Sequence, residues 1–118
     1  MKCTSFEMDV FVKMLEAKFP AGNVRQIISE AVISNYEFTG AGYLLELTHD
    51  GINLENELIY IPVIKGNYDS LCVGFTLFTE KNTITMDCYS WDLSRLPENF
   101  RELPIELTTE VAVETLAE

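Results

Sequence analysis

At 118 residues and 13.4 kDa the chain holds one ordinary domain and is too short for two. Its composition, 47% hydrophobic and 23% charged, is that of a soluble globular protein and excludes both intrinsic disorder and a membrane-spanning bundle. Nineteen acidic residues against eight basic ones give a formal net charge of −11, which argues against nonspecific binding to DNA, RNA or anionic lipid, since each of these needs concentrated cations.

The run Thr4-Ser5-Phe6-Glu7 has the spacing of a capping box and predicts a helix start. Met8, Phe11, Val12, Leu15 and Phe19 then recur at helical intervals, with Lys13, Glu16 and Lys18 left to solvent, until Pro20-Ala21-Gly22 ends the helix. A helix this apolar needs a sheet to lie on. Asn23 to Ser29 predicts a short second helix that leads into a strand from about Glu30 to Phe38, with Val32, Tyr36 and Phe38 on one face. Thr39-Gly40-Ala41-Gly42 interrupts that pattern as a turn or bulge, Tyr43 to Leu47 forms the next strand, and His49-Asp50-Gly51 marks another turn. Leu58 to Ile61 reads as a strand ended near Pro62, and Gly66 to Asp69 as a loop.

A hairpin follows, with Leu71 to Glu80 and Thr83 to Trp91 joined by Lys81-Asn82. Pairing Glu80 with Thr83 sets Val73, Phe75 and Leu77 on the face of Ile84 and Met86, which reads as core. Thr76, Phe78, Thr85, Asp87 and Tyr89 take the other face. In that register Cys72 and Cys88 point to opposite sides. Leu93 to Leu103 reads as irregular, Ile105 and Leu107 as an edge strand, and Thr108 to Glu118 as a short helix or frayed acidic tail. The expected fold class is α+β: one compact domain over 1–118, with a predominantly antiparallel sheet covered on one side by the N-terminal helix.

The chemistry-bearing residues form no coherent catalytic set, and no cofactor or metal is expected. His49 is the single histidine, which removes two-histidine metal motifs and leaves His49-Asp50 as a turn pair without a nucleophile. Asp50, Glu55 and Glu57 lack calcium-loop spacing. Cys3, Cys72 and Cys88 are odd in number and widely spaced, so a disulfide framework and a four-thiolate zinc site are both disfavoured. Reduced thiols, an N-terminus whose apolar stretch is broken by Glu7 and Asp9, and the lack of any apolar run near ~20 residues lead to a cytoplasmic expectation. Gly40-Ala41-Gly42 lacks the third glycine of a nucleotide-binding loop. Tyr89 and Trp91, flanked by Asp87 and Asp92, suit either an anchor for a basic protein or a cover for the second face of the sheet.

The stretch from Val32 to Tyr43, with Phe38-Thr39-Gly40-Ala41-Gly42-Tyr43 at its end, resembles an arrangement in small bacterial immunity-type proteins. Gly74 to Phe78 and Trp91-Asp92-Leu93 to Leu96-Pro97 extend the likeness to about half the chain, while Met86-Asp87-Cys88-Tyr89 stands where such proteins often carry a Leu-Glu-Gly-Tyr-like segment. The resemblance implies an α+β domain acting as a stoichiometric, non-enzymatic inhibitor of a cognate toxin, often a basic nuclease. The expected contacts are Asp87, Tyr89, Trp91, Asp92 and Glu98. The alternatives are an acidic self-associating or structural module, and a small-molecule binder or carboxylate-based enzyme.

Overall fold

The computed structural model describes residues 1–19 and 23–110. Helix α1 (Ser5–Leu15) begins where the Thr4 N–H donates to Glu7 Oε1 at 2.8 Å, and it buries Phe6, Val10, Phe11, Met14 and Leu15 along one stripe. A short helical turn, Glu16–Lys18, continues it. Helix α2 (Val24–Glu30) buries Val24, Ile27 and Ile28, the i, i+3, i+4 set that fixes its inner face.

Among the described residues seven strands follow: β1 (Val32–Phe38), β2 (Gly42–Thr48), β3 (Leu54–Ile59), β4 (Val63–Tyr68), β5 (Leu71–Lys81), β6 (Thr83–Ser90) and β7 (Glu106–Glu110). Every pairing is antiparallel, in the order β1-β2-β6-β5-β4-β7, with β3 beside β5 as well. Strand β5 is long enough to carry two partners on one edge: β3 takes Leu77 to Lys81 and β4 takes Leu71 to Gly74. The result is the expected α+β fold, an antiparallel sheet packed against the N-terminal helix.

Alternation divides the sheet into a covered and an open face. Tyr43, Leu45 and Leu47 of β2, Ile84, Met86 and Cys88 of β6, and Val73, Phe75 and Leu77 of β5 meet the helices in one core. The Phe6 ring lies 6.2 Å from Phe75 and 6.1 Å from Phe100, so the segment after β6 closes the same core from the side of β7. Gly42 lets β2 and β6 come together, because a Cβ there would lie in the Cys88 carbonyl oxygen.

The hairpin register is as the sequence predicts, with Glu80 opposite Thr83, Leu77 opposite Met86 and Phe75 opposite Cys88. Several expectations change. Glu30 belongs to α2, and the pairing of β1 with β2 shifts between Ile33 and Asn35, so Val32 does not share a face with Tyr36 and Phe38. Gly66, Asn67 and Tyr68 are strand, not loop: a side chain at Gly66 would collide with Ile105 and Val73, and its lack of one seats β4 in the sheet. The strand expected over Leu58 to Ile61 instead runs Leu54–Ile59, with Tyr60 and Ile61 in the link to β4. Thr108, Thr109 and Glu110 belong to β7; the rest of the expected tail, 111–118, lies outside the described residues.

Candidate functional site

The open face is built from cross-strand rows. One runs Glu37, Leu44, Asp87, Thr76 across β1, β2, β6 and β5. The next runs Asn35, Glu46, Thr85, Phe78, Leu58, reaching β3. A third runs Gly42, Tyr89, Gly74, Lys65, Thr108, reaching β7. Phe78 and Leu58 are 47% and 49% exposed and lie directly opposite one another, forming an apolar patch in water. Val63, opposite Glu110 of β7, is also exposed.

Charge is distributed unequally between the faces. By register and alternation, Glu37, Glu46, Glu80, Asp87, Glu106 and Glu110 project from the open side. Lys65 is the one cation in these rows among the described residues, and Glu110 Oε2 holds its Nζ at 2.9 Å. Several cations on the helix side are already engaged: Lys18 with Glu57, Arg25 with Asp9, and Arg101 with Glu7. Asp87 sits near the middle of the open face, half-buried, and burial pushes its carboxyl above the usual range.

The five expected contact residues are only partly brought together. Asp87 and Tyr89 share the open face of β6, and Trp91 follows them, 48% exposed, with its ring centroid 6.3 Å from that of Tyr89. The Trp91 backbone N–H donates to the Cys72 backbone carbonyl at 2.9 Å, which ties the residue to the start of β5. Asp92 serves the turn after β6: it accepts from the Ser94 hydroxyl, from the Ser94 N–H at 3.0 Å and from the Ser90 hydroxyl at 2.9 Å. Those bonds hold its carboxyl down at about 2. Glu98 lies between buried Leu96 and Phe100, and its charge reaches Tyr36 on the covered side of β1. It is separate from the aromatic pair.

A polar centre within the core escaped the sequence reading. Glu7 has no solvent exposure; it accepts from Tyr43 Oη at 2.6 Å, from Arg101 Nε at 2.6 Å and from Arg101 Nη2 at 2.7 Å, besides the Thr4 N–H. Arg101 also donates to the Lys2 carbonyl and stacks 5.4 Å from the centroid of Tyr36. This closed network pins the segment after β6 onto α1. One signal was available: Glu7 lies on the same helical stripe as Phe11 and Met14, where a carboxylate must find a partner.

Neither thiol near this centre is activated. Burial, and then the Glu7 charge, push the Cys3 thiol up to about 11. Cys88 is likewise raised by burial. His49 is partly buried in its turn: its Nδ1 accepts from the Gly51 N–H at 2.7 Å and its Nε2 faces Glu30 Oε1 at 3.1 Å, linking the turn to the end of α2. Among the described residues no group of three or more His, Cys, Asp or Glu side chains is placed to hold a metal ion, and no helix is long and apolar enough to cross a membrane. Comparison of the chain with family models, with curated proteins and with solved structures finds no match.

Proposed function

We propose that this domain binds a cationic protein on the open face of its sheet, and that the role of this binding is to neutralise a basic toxin such as a nuclease. The observation carrying the reading is the charge segregation: six carboxylates flank exposed Phe78, Leu58 and Trp91 on a face where, in its cross-strand rows and among the described residues, the one lysine is already paired. Such a surface accelerates encounter with a positive partner through its field, while desolvated aromatic area slows departure. A carboxylate-rich sheet of this kind competes with a nucleic-acid backbone for a cationic groove, so inhibition needs no chemistry from the domain.

The test mixes the purified chain with the product of the neighbouring gene at micromolar concentration. The expected result is a 1:1 complex by light scattering and loss of that product's toxic activity. The double charge reversal Glu46→Lys/Asp87→Lys should weaken the complex by roughly 100-fold, mainly in the salt-dependent association rate, whereas Glu16→Lys on the helix side should leave it unchanged. No complex, or equal sensitivity to Glu16→Lys, overturns the reading. A concentration-dependent dimer of this chain alone, without that complex, would instead support the self-association alternative.

A further inference from the structure

The open face already contains a cation resting on an aromatic ring, and that cation is the protein's own. Lys65 Nζ lies 5.0 Å from the Trp91 ring centroid and bonds Glu110 Oε2 at 2.9 Å. The platform beneath it is built into the sheet. Tyr89 lies across Gly74 so closely that a Cβ at Gly74 would fall 2.7 Å from the phenol ring, and Tyr89 in turn supports Trp91. An aromatic face, a carboxylate beside it and open solvent above together make a shallow seat for a flat cation.

We propose that this seat takes an arginine side chain of the cationic partner, and that Lys65 occupies it in the free protein. The inference rests on the function proposed above and names the residue by which the partner is held. An ammonium is compact and strongly hydrated, so it gains little from an exposed indole. A guanidinium is more weakly hydrated, stacks plane to plane on the ring and offers two parallel N–H donors to one carboxylate. With Trp91 half exposed and the Lys65 side chain one third exposed, Lys65 can swing into water without opening the core. Arginine therefore displaces lysine from Trp91, takes over Glu110, and turns a surface of general negative charge into one that distinguishes between two basic side chains.

Trp91 is the single tryptophan of the chain, so its fluorescence reports the seat directly. The full chain is titrated with nona-arginine and with nona-lysine, probes of equal length and charge. Nona-arginine should bind at least ~5-fold more tightly, with a saturable change in Trp91 emission. Lys65→Met vacates the seat and should tighten nona-arginine binding by roughly 3-fold or more, while Glu110→Gln should weaken it. Trp91→Ala, followed by calorimetry, should reduce nona-arginine to the level of nona-lysine. Equal binding of the two peptides, abolished by Asp87→Lys, overturns the arginine seat and leaves the cationic-partner reading standing. Weaker nona-arginine binding by Lys65→Met also overturns the seat, since Lys65 would then be part of the platform. Failure of both peptides to bind overturns both readings.

Discussion

Replacing Arg101 by methionine should expose the worth of the Glu7 network. The Arg101 side chain is 12% exposed and Glu7 is fully buried, so the substitution leaves a carboxylate in the core without its counter-charge. Breaking a buried pair from one side costs about 3–5 kcal/mol. The lower end applies here, because Glu7 keeps the Thr4 N–H and the Tyr43 hydroxyl and some water reaches Arg101. A loss of about 3 kcal/mol is a large share of the ~5–15 kcal/mol that stabilises a small domain, and it corresponds to roughly 10–15 °C in Tm. Urea unfolding followed by far-UV circular dichroism measures it. Glu7→Gln combined with Arg101→Met removes the buried charge; the amide oxygen accepts from the Thr4 N–H and the amide NH2 donates to the Tyr43 hydroxyl oxygen, so the double variant should recover at least ~1 kcal/mol relative to Arg101→Met alone. A single-variant loss under ~1 kcal/mol, or additive losses in the double, would refute the argument that the pair acts as one buried unit. Since the network lies on the covered side of the sheet, a folded Arg101→Met protein should bind nona-arginine as the parent does.

Three further outcomes test the faces separately. Asp87 has a folded pKa raised by burial, so stability falls as pH rises from its unfolded value near 3.8 through the folded one, and the full cost is present at pH 7. Asp87→Asn should therefore raise the urea midpoint at pH 7, with the gain shrinking as the pH falls below the folded pKa, while cationic peptides bind less tightly. Asp92 has the opposite sign: held down at about 2 by Ser94 and Ser90, it contributes stability that is present above 3.8 and lost as pH falls through about 2. Acid titration of the urea midpoint between pH 5 and 2 should be flatter in Asp92→Asn than in the parent. Gly42→Ala drives a Cβ into the Cys88 carbonyl and should cost at least ~2 kcal/mol by urea unfolding, whereas Gly74→Ala meets only the movable Tyr89 ring, costs less and shifts Trp91 emission.

What the sequence disclosed depended on whether a feature was set locally. The β5–β6 register could be read because eight residues alternate on each side of a two-residue loop, and a slip by one would have put Phe75 and Met86 in water. The exposure of Asp87 and Tyr89 on one face came with that register. The shift at Ser34 could not be read in the same way, because it depends on how β1 meets β2: Ser34 Oγ reaches Glu46 and Thr48, twelve and fourteen residues away. Gly66 reads as a turn by composition, and only the crowding of Ile105 and Val73 around it makes it strand. Glu7 was legible as a cap and not as the centre of a network, because Arg101 arrives from 94 residues further along the chain.

The two faces of the sheet treat their carboxylates in opposite ways, and that difference favours binding over structure as the role of the open side. On the covered side Glu7 has no exposure and four donors, so its charge is fully satisfied within the domain. On the open side Asp87 is half-buried, its carboxyl is raised by burial, and among the described residues no hydrogen bond offsets that cost. A domain selected only for stability would gain from asparagine or threonine at that position, as Thr76 directly opposite it and Thr85 on the next row illustrate. Carrying an ionised aspartate there lowers the stability of the free protein and leaves a preformed, partly dehydrated acceptor for an incoming cation, so part of the desolvation that binding requires has already taken place in the fold. Asp87→Asn separates the two accounts: a variant that is more stable and binds cationic peptides as well as the parent would show that the aspartate serves no partner.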